Sequence, residues 1–268
     1  MCDTCGCGEA GEVKITKLDG TVQQHLHIHQ HNGISHAHSH PHEHSHSHDH
    51  TNGRTIELQT NILQKNNLMA ERNRGYFEAK NIFALNLVSS PGSGKTSLLE
   101  KTISELKNTM SFFVIEGDQQ TMNDAERIKS VGAPVVQINT GNGCHLDAEM
   151  ISRSIKELAA GEGSVMMIEN VGNLVCPSLF DLGESKRVVI ISVTEGEDKP
   201  IKYPTMFQSS HLCIINKTDL LPYVDFDIEK TKQYAAQVNS NLEFIELSVR
   251  SGTGMNLWYD WLEKNKQK

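Results

Sequence analysis

The stretch Ile82-Phe83-Ala84-Leu85-Asn86-Leu87-Val88-Ser89-Ser90-Pro91-Gly92-Ser93-Gly94-Lys95-Thr96-Ser97-Leu98-Leu99 passes from an apolar run through a Gly-rich loop into a helix start. Such a loop points several backbone N–H groups, and the positive end of the helix dipole, into one cavity that suits a polyphosphate. Pro91, Gly92, Ser93, Gly94 and Ser97 would line that cavity, Lys95 would reach the β/γ-phosphates, and the Thr96 hydroxyl would ligate Mg²⁺. Ser89 stands where the first Gly of G-x-x-x-x-G-K-[ST] is usual, but the strand before and the helix after give the loop its expected setting.

Further along the chain, Asn216-Lys217-Thr218-Asp219 follows the apolar run Leu212-Cys213-Ile214-Ile215. That places it at the carboxyl end of a buried strand, where open α/β sheets bind ligands. The Asp219 carboxylate can accept two hydrogen bonds from guanine N1–H and its exocyclic amine, a donor pair adenine lacks. Charge-assisted bonds of this kind discriminate strongly. Ser248-Val249-Arg250, after Leu242 to Leu247, fits a further loop closing over guanine. The expected nucleotide is therefore GTP.

From residue 80 onward strand and helix alternate as in a parallel sheet covered on both faces. Phe112 to Ile115 ends in Glu116-Gly117-Asp118, Val135 to Ile138 in Asn139-Thr140-Gly141, and Val165 to Ile168 in Glu169-Asn170-Val171-Gly172. Each strand delivers polar residues to the same edge. Asp118 and Glu169 are the acids placed near Mg²⁺ and the reacting phosphate, since a phosphate-loop site holds its metal with the loop hydroxyl plus a strand-end acid. Glu169-x-x-Gly172 resembles an Asp-x-x-Gly element with Glu for Asp, and Gly172 would offer its N–H to the γ-phosphate. Val188 to Val193 is a further strand. A last helix, Met255 to Lys264, carries Leu257, Trp258, Trp261 and Leu262 at helical spacing, the tryptophans as core. Before the sheet, Leu58, Ile62, Met69 and Tyr76, flanked by Leu63, Ala70 and Phe77, mark one face of a prefix helix.

The first fifty residues are different in kind. The chain of 268 residues is 37% apolar, and the deficit is concentrated there. We expect three parts: a cysteine motif at 1–8, a flexible His-rich tract at 9–52, and one folded nucleotide-binding domain at 56–268. Cys2, Cys5 and Cys7 form a C-x-x-C-x-C cluster whose flexible glycines let three thiolates meet one soft or borderline metal. Removal of Met1 before the small Cys2 would free an amine as fourth ligand. Tetragonal coordination would favour Ni(II) or Cu(II), and tetrahedral coordination Zn²⁺. Twelve of the fourteen histidines follow: His25, His27, His29, His31, His36, His38, His40, His42, His44, His46, His48 and His50. Interspersed and internal, this tract is expected to buffer nickel, zinc or copper.

A net charge of −8 and a pI near 5.9 argue against nucleic acid or an anionic membrane as main partner. No apolar run approaches the roughly 18 residues of a membrane span, and the N-terminus lacks the basic and apolar regions of a signal peptide. A cytoplasmic location is expected, where the six cysteines serve as ligands or core rather than disulfides. Within the nucleotide domain, adjacent Cys144 and His145 offer a thiolate and an imidazole from one loop opening a helix, and Cys176 could join them if the loops meet. Cys213 and His211 are expected as core and strand-edge residues.

Taken together, these motifs resemble the HypB family of nickel-incorporation GTPases of [NiFe]-hydrogenase maturation. The residues that carry the resemblance are Cys2 to Gly8, Glu71-Arg72-Asn73-Arg74, Ser89 to Thr96, Glu116 to Thr121, Gly143 to Asp147, Glu169 to Pro177, Glu195 to Pro200 and Asn216 to Pro222. The resemblance covers the extreme N-terminus and everything from about residue 56 onward. It implies a P-loop NTPase of the signal-recognition/MinD-like (SIMIBI) class with a mostly parallel sheet and GTP-linked homodimerisation. It also implies a tight nickel site at Cys2, Cys5 and Cys7 and a weaker nickel or zinc site at Cys144, His145 and Cys176. Its partners would be a HypA-like nickel chaperone and a hydrogenase large-subunit precursor. Turnover should be slow, because no arginine finger is evident in cis. Two alternatives remain open. A urease-type accessory GTPase would not explain the N-terminal cysteines, and a nickel store with a vestigial nucleotide site would not explain an intact Lys95, Thr96 and Asp219.

Overall fold

The computed structural model describes residues 14–17, 52–118, 123–141 and 143–267. The cysteine motif at 1–8 and the histidines of 25–50 lie outside the described residues. Among the described residues, eight strands form one sheet: β1 (Lys14–Lys17), β2 (Phe83–Ser89), β3 (Phe112–Asp118), β4 (Val135–Asn139), β5 (Val165–Glu169), β6 (Lys186–Ser192), β7 (Leu212–Asn216) and β8 (Glu243–Glu246). Their order is β1-β4-β3-β5-β2-β6-β7-β8, parallel throughout except for the antiparallel β1 on the β4 edge. The helices are α1 (Asn52–Ala79), α2 (Lys95–Leu106), α3 (Asn123–Ser130), α4 (Ala148–Leu158), α5 (Lys199–Lys202), α6 (Pro204–Gln208), α7 (Ile228–Val238) and α8 (Met255–Lys266).

Continuous apolar strands are what a parallel sheet covered on both faces requires. β2 shows it residue by residue. Phe83, Leu85 and Leu87 pack with Leu98, Leu99 and Trp258 on one face, while Ala84 joins Phe77, Ile151 and Ile155 on the other. A third cluster gathers Val88, Val189, Ile191 and Ile215 under Met206 and Phe207. The expected mostly parallel P-loop architecture is thus present, with β2 central and its loop at the carboxyl edge. Among the described residues, no helix is long and apolar enough to cross a membrane.

Four details differ from the sequence expectation. Residues 14–17, placed above in the flexible tract, form a strand, and the prefix helix begins at Asn52 rather than 56. The buried stripe of α1 runs through Asn66, Ala70, Asn73 and Phe77, with Ile62 40% exposed, so it is rotated from the apolar face read in the sequence. Asn66 and Asn73 are buried because they bond backbone: Asn66 Oδ1 accepts from Ala148 N at 2.9 Å and its Nδ2 donates to Asp181 O at 2.8 Å. Asn73 Nδ2 donates to Ala148 O at 2.8 Å and Leu182 O at 3.1 Å. In α8, Trp258 and Trp261 are core, whereas Leu257 faces solvent.

Candidate functional site

The carboxyl edge of the sheet carries a cleft of about 310 Å³ lined by the loop from Ser89 to Thr96 together with Glu116, Asp118, Asp124, Glu169 and Gly172. The phosphate loop owes its shape to Gly92 and Gly94, whose φ of 77° and 93° lie in the left-handed region. A Cβ on Gly94 would also stand 2.5 Å from Asn216 Nδ2. No side chain caps α2 at Gly94, so its first-turn N–H groups are available to a phosphate. Lys95 Nζ bonds Glu169 Oε1 at 3.0 Å, and Thr96 Oγ1 donates to the same oxygen at 2.6 Å. Ser97 Oγ accepts from Arg127 Nη2 at 3.2 Å, tying α2 to α3.

The Asn216-Lys217-Thr218-Asp219 segment is stitched to this loop. Asn216 Nδ2 donates to Ser93 O at 2.8 Å, and Asn216 Oδ1 accepts from Lys217 N at 2.7 Å and Val249 N at 3.3 Å. Lys217, itself left-handed with φ 63°, donates from Nζ to Gly92 O at 2.7 Å. Asp219 Oδ1 accepts from Ser248 Oγ at 2.6 Å. So Asn216, Lys217, Asp219, Ser248 and Val249 meet one another beside the phosphate loop, with Arg250 exposed at the rim.

The magnesium expectation can be tested on the donor set. Glu116 and Glu169 face each other in register on β3 and β5, both buried, and each has an Oε2 without a hydrogen-bond partner. Burial pushes the Glu116 carboxyl up to about 8, with the negative charges of Glu169 and Asp118 adding to the effect and Lys95 opposing it. Hard carboxylate oxygens, the Thr96 hydroxyl and orphaned buried acceptors fit Mg²⁺. Two acids of this cleft, Glu116 and Asp124, were not singled out from the sequence. Glu116 was legible through strand alternation, because it shares a face with Asp118 two residues on. Asp124, which accepts from Thr96 Oγ1 at 3.2 Å, carried no signal beyond its place in the first turn of α3.

A second constellation lies at the same edge. One ligand atom each from Cys144, His145 and Cys176 lies within 4.8 Å of the others, all half-buried. Ligands about 2.0–2.3 Å from a common metal stand roughly 3.5–4 Å apart, so a small closure would complete the site. Cys144 and His145 sit in the loop before α4, not in its first turn, which Asp147 caps by accepting from Met150 N at 2.8 Å. The His145 ring stacks on Phe180 with centroids 3.9 Å apart, and burial holds its pKa below the usual value against the pull of Asp147. A neutral imidazole is the form that ligates. Cys213 is buried in β7 with its thiol pushed up by burial, and His211 Nδ1 accepts from Arg187 N, as core and strand-edge residues should.

Physical contacts join the two constellations. A Cβ on Gly172 would stand 3.3 Å from Pro91, so the segment leading to Cys176 rests on the phosphate loop. Asn170 Oδ1 accepts from both Val171 N and Leu146 N, at 3.0 and 3.3 Å, and Leu146 packs against Gly117 between the two β3 acids.

Residues 83–246 match the CobW/HypB/UreG nucleotide-binding domain. The chain is 54% identical over 213 residues to hydrogenase maturation factor HypB of Escherichia coli K12, covering 80% of this chain and 73% of that protein. It is 56% identical over 210 residues to HypB of Rhizobium leguminosarum bv. viciae, covering 78% and 70%. Among solved structures, HypB from Archaeoglobus fulgidus matches with a TM-score of 0.71 at 39% identity, covering 76% of this chain and 99% of that one. HypB from Helicobacter pylori in complex with nickel matches with a TM-score of 0.71 at 35% identity, covering 76% and 95%. With a matching nucleotide-binding domain and relatives above half identity, the chain belongs to the CobW/HypB/UreG family, among its HypB hydrogenase maturation factors.

Proposed function

We propose that this protein is a nickel-binding GTPase metallochaperone. It hydrolyses GTP slowly to GDP and phosphate and couples that cycle to nickel delivery into a [NiFe]-hydrogenase large-subunit precursor. GTP enters with its base on Asp219 and the Ser248-Val249-Arg250 loop and its phosphates on the Gly92 to Thr96 backbone. Lys95, held by Glu169, must exchange that carboxylate for the β/γ-phosphates. Thr96, Asp118 and Glu169 would hold Mg²⁺, which when bound neutralises developing phosphate charge. Gly172 donates its N–H toward the γ-phosphate.

Nickel is cargo. Cys2, Cys5 and Cys7 make the tight site, the His-rich tract a buffer, and Cys144, His145 and Cys176 the exchange site, which also takes Zn²⁺. A GTP-promoted homodimer, a HypA-like chaperone and the hydrogenase precursor are its partners.

The observation that carries the reading is the single segment from Glu169 to Cys176, which touches the phosphate loop at Gly172 and supplies a thiolate to the metal triad four residues later. A movement of Gly172 on GTP binding must displace Cys176, so nickel affinity should differ between nucleotide states. Linkage then requires nickel to change nucleotide preference by the same factor, typically about 5–150-fold. Titrating nickel into a chain shortened to residues 52–268, with GDP or a non-hydrolysable GTP analogue, tests this. Identical affinities would reject the coupling. The nickel-storage alternative would show no GTP turnover at all.

A further inference from the structure

Glu116 is the one buried acid of the cleft without a role so far. It is 2% exposed and stands in register with Glu169, which is 1% exposed, on the adjacent strand. Like charges directly opposite on neighbouring strands repel. Neither Oε2 has a hydrogen-bond partner, and a buried acceptor left unmade destabilises the fold that holds it. Asp118 and Asp124 line the same cleft, and among the described residues that line it Lys95 is the one cationic side chain. A fold maintains such an arrangement at a cost that a cation between the carboxylates would offset.

We propose that Glu116 is a further residue of the divalent-cation site, and that through it the cleft takes up a divalent cation before nucleotide arrives. The inference rests on the GTPase reading for its purpose, although the ion's binding does not require it. A phosphate loop that offers a hydroxyl and one acid depends on the nucleotide's own phosphates to hold Mg²⁺. Here Glu116, Asp118, Asp124, Glu169 and Thr96 supply oxygens enough without them. The order of binding matters for Lys95. Glu169 Oε1 now holds both Lys95 and Thr96. Once Glu169 shares its charge with the ion, it holds the ammonium less tightly, and Lys95 is released to meet the incoming phosphates.

Mn²⁺ serves as the probe, followed by electron paramagnetic resonance in the nucleotide-free full chain and in the same chain carrying Glu116→Gln, a substitution of nearly equal shape. The wild type should hold Mn²⁺ that Mg²⁺ displaces, and the variant should hold it about tenfold more weakly or worse, because affinity follows the charge of the ligand set. A second readout separates this role from a structural one. With EDTA present the variant should have a Tm equal to or above that of the wild type, since one of two facing buried carboxylates is gone. Equal Mn²⁺ affinity in both chains, Mn²⁺ uptake by the wild type only when GDP is added, or a lower Tm of the variant in EDTA would each overturn the proposal. Binding of a fluorescent GDP to the wild type reports on the GTPase reading separately. A chain that holds Mn²⁺ but no guanine nucleotide would retire that reading and leave the ion site standing.

Discussion

Asn216 bonds Ser93, Lys217 and Val249 with one buried amide, and so sets the distance between the phosphate loop and both base loops. Asn216→Ala should remove guanine-nucleotide binding and lower stability by about 1–3 kcal/mol, because buried backbone groups lose their partners. Isothermal titration with GDP and urea unfolding would measure the two effects. Asp219→Asn should lose guanine and gain xanthine nucleotide, since the amide now donates to the base; unchanged selectivity would count against the assignment. His211 gives a pH dependence. Its Nδ1 accepts from Arg187 N at 3.1 Å, and burial, helped by the Lys186 charge, holds its pKa below 6.5. The unfolded chain therefore takes up that proton first. Stability from this group is complete above about pH 6.5 and drains as the pH falls through the lower folded value. His211→Asn, whose Oδ1 can accept the same bond, should flatten the wild-type loss of Tm between pH 7 and 5. At this scale the meeting of the Ser89 to Thr96 loop with Asn216 to Asp219 was legible, because each follows an apolar strand and parallel strands bring their carboxyl ends to one edge. Glu116 and Asp124 were harder to read, since an acid at a strand end or in a helix's first turn is ordinary until its neighbours are known.

The elements show a different limit. α2 and strands β2 to β7 announce themselves through apolar runs and the loop between β2 and α2. α1 announces itself as a helix but not by its buried face, because half of that stripe is asparagine. Asn66 and Asn73 bind the backbone at the start of α4 and at residues 181–182, while Arg74 pairs with Asp181 at 2.6 Å and donates to Glu184 O at 3.0 Å. Hydrophobic periodicity cannot register a face whose fit is made by hydrogen bonds to loops distant in sequence. Gly183 completes the fit: its φ is 87°, and a Cβ there would stand 2.5 Å from Ala70 O. Gly183→Ala should lift α1 from the domain, and Asn73→Ala should cost about 1–3 kcal/mol by removing two buried hydrogen bonds, to Ala148 O and Leu182 O. Hydrogen exchange across residues 61–79 would show the first and denaturant midpoints the second. A helix held only by its apolar residues would tolerate Asn73→Ala within about 0.5 kcal/mol.

For the whole molecule, the cleft and the Cys144, His145 and Cys176 triad lie at one edge of one sheet, and the described residues that line the cleft all come from Ser89 onward. A chain of residues 52–268 should lose most of its bound nickel and keep its GTP hydrolysis; loss of turnover on shortening would mean that the appendage belongs to the engine. Strand β1 was not legible beforehand, because four residues reading Lys14-Ile15-Thr16-Lys17 carry no pattern until a sheet edge receives them.

That small strand also fixes one point of the N-terminal region on the sheet. Lys14 pairs with Asn139, at the end of β4 from which the chain runs on to Cys144 and His145. Seven peptide steps separate Cys7 from Lys14, and at most about 3.4 Å per step bounds the reach to roughly 24 Å. A residue within that length of a paired strand meets the rest of its own chain intramolecularly, at an effective concentration set by the tether rather than by the protein's abundance. Metal handed from one set of sulfurs to the other would then be a first-order event, indifferent to dilution. A few residues of edge pairing would decide whether the carrier and the exchange site behave as one molecule or as two solutes.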